Sequence, residues 1–186
     1  MQSVSHPHIA PCVLAARCPL YLALAMPLYS LGSLESQLSG LCPALARHYL
    51  SQIASAVRHL HVACIAHGDL KLDNVFLMDA QHAILGDFGL AVWLPENSMG
   101  LVPASQCGGT PSYMAPESKD VGDGWISTLS VVKVKASWTY DYLEETNTDP
   151  DVPDNFRPVL RRVLEPLPLR RASLDELVQA LDRLQV

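Results

Sequence analysis

Basic residues are scarce in this sequence: 13 Lys and Arg stand against 19 Asp and Glu in 186 residues, for a net charge of -6. Affinity for nucleic acid rests on clustered cations that displace counterions from phosphates, so no nucleic-acid partner is expected. CxxC pairs are missing too. The five cysteines, Cys12, Cys18, Cys42, Cys64 and Cys107, are odd in number and scattered, which argues against a disulfide scaffold and for reduced thiols in a cytoplasmic or nuclear chain. An uninterrupted apolar run of bilayer length is also absent. Arg17 and prolines 11, 19 and 27 cut the stretch IAPCVLAARCPLYLALAMPLYSLGSL into short pieces, so no membrane partner is expected. No basic region precedes it, so it is not read as a cleaved signal peptide. It reads as short buried strands. Repeats and low-complexity tracts are lacking as well.

Hydrophobic residues make up 49% and charged residues 17% of the chain, the balance of a globular chain long enough for one domain with a core, or for a domain and a fragment of another. Residues 8 to 15 and 20 to 26 read as two strands, followed by the turn-like SLGS and a short helical stretch over Leu34 to Leu38. Pro43 to Ala63 is the strongest helix. Leu45, Tyr49, Leu50, Ile53, Ala54, Val57, Leu60 and His61 recur at three and four, and Pro43 suits a first helical position. His59 and His61 lack the i, i+4 spacing of paired ligands, so one packed and one surface histidine are expected. Val75 to Leu77 and Ala83 to Leu85 read as a small hairpin on the surface of a helical body. Residues 90 to 109 read as irregular, and 141 to 155, with six acids and no base, as a solvated loop. Ser173 and Glu176 form a capping box for a last helix, with Leu174, Leu177, Val178, Leu181 and Leu184 on one face.

The stretch HGDLKLDN, residues 67 to 74, packs two aspartates, a lysine and an asparagine into eight positions. Phosphoryl transfer from a nucleotide needs a carboxylate to orient the attacking hydroxyl, oxygen ligands for magnesium and a cation near the transferred group. Asp69 takes the first role, Lys71 points the same way from an extended loop, and Asn74 offers a neutral oxygen to a hard cation. The DFG at 87 to 89 adds a second magnesium ligand, Asp87, with Gly89 freeing the backbone to turn. Singly each motif is common; in order, they describe one chemistry.

At this point the sequence resembles the eukaryotic protein kinase family, of serine/threonine type. HGDLKLDN resembles the catalytic loop, DFGLA the magnesium loop, and GGTPSYMAPE, residues 108 to 117, the end of the activation segment. RHLHVACIAHGDL resembles the end of the long C-lobe helix, and MPLYSLGSLESQL the hinge and the helix after it. The resemblance implies an α+β fold: residual N-lobe strands over 1–26, then a mainly helical C-lobe over 27–186 with a small catalytic-loop hairpin. Within that lobe it implies a catalytic loop at 67–74, an activation segment at 87–117, an altered region at 118–154 and C-terminal helices at 155–184. It also implies ATP and Mg2+ as cofactors and a protein substrate. Met26 falls at the gatekeeper, and the backbone of Pro27 and Tyr29 at adenine. Thr110 bridges Lys71 and Asp69, His67 and Phe88 are scaffold residues, and Arg171 pairs with Glu117.

The sequence departs from the family in places. Gly68 replaces the arginine that usually precedes the catalytic aspartate and binds an activation-segment phosphate, and Leu72 replaces a proline. Only seven residues of this sequence precede His8, so a chain with most of the N-lobe missing is expected, without the Gly-rich loop, the third-strand lysine and its glutamate partner. DGWISTLS at 123–130 resembles the long helix after APE only faintly. The resemblance covers residues 6 to 118 and, more loosely, 155 to 184. The reading is therefore a serine/threonine kinase catalytic region. Its rival is a truncated, pseudokinase-like binding module without phosphotransfer. In either case a protein partner is expected to cover the N-terminal strands.

Overall fold

The computed structural model describes residues 4–39, 41–94, 108–114, 152–165, 167 and 170–184, with backbone alone at 101–103 and 125–127. In chain order the elements are β1 (Leu14–Arg17), β2 (Leu22–Ala25), a 3-10 turn (Leu34–Gln37), α1 (Pro43–Val62), β3 (Ile65–Ala66), a second 3-10 turn (Leu72–Asn74), β4 (Val75–Asp79) and β5 (His82–Leu85). They continue with β6 (Val92–Trp93), β7 (Leu101–Pro103), a 3-10 turn (Pro111–Tyr113), β8 (Trp125–Ser127), α2 (Arg157–Val163) and α3 (Leu174–Arg183). The strands pair two by two and antiparallel: β1 with β2, β3 with β6, β4 with β5 and β7 with β8.

Helix α1 organises the body. Pro43 opens it, no glycine or proline interrupts it afterwards, and Cys64 (φ 56°) turns the chain left-handed beyond its end and into β3. Its inner face buries Tyr49, Ala56, Val57 and Leu60 against Ile9, Leu34, Ile65, Val75, Leu77, Ala83 and Leu85. The β4–β5 hairpin is thus a wall of the core; only its outer residues face solvent, contrary to the surface position its pattern suggests. Gln52, polar and outside the apolar stripe, is buried because it ties the hairpin turn to α1. Its Nε2 donates to the Gln81 carbonyl (2.7 Å), its Oε1 accepts from the Ala83 N–H (2.8 Å), and Tyr49 donates to the Ala80 carbonyl (2.9 Å).

The N-terminal strands differ from expectation in place and in burial. Residues 8–10 join the edge of β5, with Leu85 N–H donating to His8 and Ala10 N–H to Leu85, so Ile9 and Ala10 enter the core and the first strand starts only at Leu14. Every residue of β1 and β2 is exposed, because among the described residues no layer packs on either face of this two-stranded ribbon. His59 and His61 are both half-buried, one of them with its ring 5.1 Å from that of His6.

Residues 90 to 109 are less irregular than they read, since they hold β6 and β7, and β7 pairs with β8. Positions 141–151 of the acidic run lie outside the described residues; Asp154 pairs with Arg157 at 3.0 Å. The capping box opens α3 as its residues require: Glu176 N–H donates to Ser173 Oγ (3.2 Å) and Ser173 N–H to Glu176 Oε2 (2.8 Å). Leu177 and Leu181 then pack on Val163 of α2, and Arg58–Asp175 (3.1 Å) links α3 to α1. No helix among the described residues is long and apolar enough to cross a membrane.

Candidate active site

Strand β3 delivers the chain to His67, which is buried. Its Nδ1 accepts from the Asp69 N–H (3.2 Å), so Nε2 carries the hydrogen and donates to the Gly86 carbonyl (2.8 Å). Burial pushes the ring below its ordinary pKa against the pull of that carbonyl and of Asp69 and Asp87, which keeps it neutral and fit for both bonds. The Phe88 ring packs 4.9 Å away at 57°. One histidine thereby joins the loop at 67–74 to the turn at 86–88.

The Asp69 carboxylate, 9% exposed, receives three donors. Thr110 N–H reaches Oδ1 at 2.7 Å, while Lys71 Nζ (2.9 Å) and Asn74 Nδ2 (3.2 Å) reach Oδ2. Burial pushes this carboxyl up, but the bonds from Lys71 and Thr110 prevail and hold it below its ordinary value. Lys71 is raised, first by its bond to Asp69, against burial and with help from Asp73 and Asp87. It also donates to Thr110 Oγ1 at 2.8 Å. Asp69, Lys71 and Thr110 thus close a triangle although Thr110 lies 39 residues beyond Lys71.

Asn74 spends its amide nitrogen on Asp69, on the carbonyl (2.8 Å) as well as the carboxylate, and this leaves Oδ1 as its outward chemistry. The Gly86 N–H donates to the Asn74 carbonyl at 2.8 Å, bringing the next turn alongside. There Asp87 adopts φ 55°, a left-handed conformation that costs a residue with a Cβ roughly 1–2 kcal/mol. The left-handed residue is Asp87, and Gly89 sits in the turn that the Ala91 N–H closes on the Phe88 carbonyl at 3.1 Å. Gly89 also approaches Asp87 closely: its N–H donates to Asp87 Oδ1 at 3.2 Å, and a Cβ on it would stand 3.2 Å from the same oxygen.

A protein kinase domain model matches residues 1–124 of the chain. The chain belongs to the protein kinase family. Similar kinases include serine/threonine-protein kinase MRCK gamma of Homo sapiens, 41% identical over 101 residues, which is 52% of this chain and 6% of the relative. Serine/threonine-protein kinase AtPK1/AtPK6 of Arabidopsis thaliana is 38% identical over 120 residues, 63% of this chain and 25% of the relative. Serine/threonine-protein kinase polo of Drosophila melanogaster is 46% identical over 71 residues, 38% of this chain and 12% of the relative. The match spans a quarter or less of each relative's length.

Of the kinase residues expected from sequence, the structure gathers His67, Asp69, Lys71, Asn74 and Thr110 by direct bonds and sets Asp87 and Phe88 beside them. Met26 and Pro27 are exposed on the chain leaving β2, and Tyr29 stacks on Phe76 at 5.6 Å and 15°. Phe76 escaped the sequence reading. Its signal is alternation in β4, where Val75 and Leu77 face the core and the aromatic between them faces the other way. Glu117 lies outside the described residues; Arg171 donates from Nε to the Glu165 carbonyl at 2.8 Å.

Proposed function

We propose that this kinase domain transfers the γ-phosphoryl group of ATP to serine or threonine hydroxyls of protein substrates. The observation that carries the proposal is the hold on Asp69. Thr110, Lys71 and Asn74 fix its carboxylate in place, with the Thr110 hydroxyl bearing on it as well, which aims it to orient an incoming hydroxyl. A carboxyl held below its ordinary value is a weak base, so Asp69 orients the hydroxyl and accepts its proton late, as a loose transition state allows. Lys71 spends two of its three donors within the triangle and keeps one for a phosphoryl oxygen.

The donor set fits magnesium: a neutral amide oxygen on Asn74 and an exposed carboxylate on Asp87 are hard ligands. Among the described residues no group of three or more His, Cys, Asp or Glu forms a metal cluster, and magnesium held jointly by protein and phosphate oxygens requires none. The ion would neutralise phosphate charge. Met26 and the backbone of Pro27 and Tyr29 would meet adenine, with Tyr29 steadied by Phe76. The serine/threonine kinases among the matched relatives support the acceptor class.

A second reading, a binding module without transfer, draws on the exposed apolar hairpin and the chain leaving it, where Leu20 is 89% and Leu28 94% exposed; a protein partner covering them would serve either reading. Radiolabelled transfer to generic protein substrates, measured beside binding of magnesium-ATP, separates the two. Transfer supports the enzyme; binding of partner proteins with no transfer at saturating nucleotide supports the module.

A further inference from the structure

Three glycines meet where the segment carrying Thr110 crosses the loop carrying Asp69. Gly68 has φ 84°, and a Cβ on it would lie 2.2 Å from the Leu90 carbonyl oxygen. Gly109 has φ 134°, and a Cβ there would lie 2.8 Å from the Gly68 carbonyl oxygen. At Gly108 a Cβ would meet the Leu90 methyl carbons at 3.0 and 3.1 Å. Two of these approaches are against backbone, so no side-chain rotation relieves them, and both residues sit in a conformation that favours glycine. The order in space is Leu90, Gly68, Gly109. The very next N–H is the one that Thr110 donates to Asp69 at 2.7 Å.

Gly68 stands where the family usually has an arginine, and in this backbone the first carbon of an arginine side chain has no room. We propose that Gly68 and Gly109 are positioning residues. The missing side chain of Gly68 lets the Leu90 backbone close on the catalytic loop, where Leu90 also packs against Gly108, and the missing side chain of Gly109 seats its backbone on the Gly68 carbonyl; this close packing, in place of a side-chain tether to a phosphate, holds Thr110 on Asp69 and Lys71. The proposal rests on the kinase reading only for its catalytic consequence. A side chain at 68 must displace Leu90 or the loop itself. A displacement of about 1 Å passed on to Thr110 takes its N–H out of hydrogen-bond range of Asp69.

Hydrogen exchange of the Thr110 amide, followed by NMR, tests this without any need for transfer activity. In Gly68→Ala and in Gly109→Ala the Thr110 amide should exchange at least tenfold faster than in the parent. The Ala83 amide, bonded to Gln52 in the core, should be unchanged and so report that the effect is local. Gly32→Ala is the control for left-handed strain alone, because Gly32 has φ 76° but a Cβ there would meet only the Ser36 hydroxyl at 3.2 Å. It should leave Thr110 as in the parent. If Gly68→Ala does not fold, Gly109→Ala carries the test. Less than a threefold change at Thr110 in a folded Gly68→Ala or Gly109→Ala overturns the proposal, and so does an equal rise in Gly32→Ala. If transfer is measurable, the glycine variants should lose kcat while magnesium-ATP binds as before.

Discussion

Replacing Thr110 by valine exchanges a hydroxyl for a methyl on a side chain of nearly the same shape. The β-branch and the backbone N–H to Asp69 stay. What goes is the acceptor for Lys71 Nζ, now at 2.8 Å, and the hydroxyl's own pull on the Asp69 carboxyl. A hydrogen bond to a charged group contributes about 1.5–3 kcal/mol. The Lys71 side chain is 21% exposed, so water can only partly replace the lost oxygen. With about 1.4 kcal/mol to each factor of ten, an ammonium no longer aimed at the transferred group should lower kcat about 10- to 100-fold. The Kd for magnesium-ATP should hold, because Thr110 touches neither the hinge residues nor the proposed magnesium ligands. Thr110→Ser restores the hydroxyl and should recover most of the rate. The assay is steady-state transfer to a protein substrate beside calorimetry with nucleotide. Thr110→Val at the parental rate would refute the triangle as a working unit and leave it a structural cap.

Acid should destabilise the domain before it touches the carboxylates. Burial lowers the pKa of His67, His61 and His6, so below the ordinary value near 6.5 the unfolded chain binds more protons. The denaturation midpoint should fall as pH drops through that value, and His67→Asn should flatten the dependence; an unchanged slope counts against a neutral His67. Asp69 is held low, so its contribution is present above the ordinary carboxyl range and is lost only at more acidic pH. Activity should not depend on phosphate within residues 90 to 112, given Gly68; a large loss after phosphatase treatment, recovered by phosphate on Ser105 or Thr110, contradicts this. The purified chain should self-associate through β1 and β2, where Leu14, Leu20 and Leu22 are 61%, 89% and 62% exposed. Sedimentation should show Leu20→Glu with Leu22→Lys as monomer under conditions in which the parent associates; equal behaviour of the two excludes the hairpin as the contact.

What was legible in the sequence is what lies close along the chain. Asp69, Lys71 and Asn74 fall within six residues, the helix from Pro43 carries a 3.6-residue pattern, and Ser173 with Glu176 is a local cap. Thr110 was placed on Lys71 by resemblance, since nothing in its own neighbourhood says which loop it will meet. Gln52 was not legible, because a buried glutamine has the same letter as an exposed one and its reason is a turn 29 residues away. The strands at 14–17 and 22–25 read as buried because apolar content reports what a strand can cover and not whether a layer is there. Gly68 read as a missing arginine, whereas its φ and the Leu90 carbonyl show a position that admits no side chain.

The central claim is that Asp69 orients a hydroxyl for transfer, and a single-turnover experiment with Asp69→Asn tests it most directly. Asparagine keeps the size and one carbonyl oxygen but loses the charge. With nucleotide and magnesium saturating, the account predicts retained ATP binding and a transfer rate lower by about a hundredfold or more, the range of a lost acid–base group. Transfer by Asp69→Asn at the rate of the parent chain would contradict it.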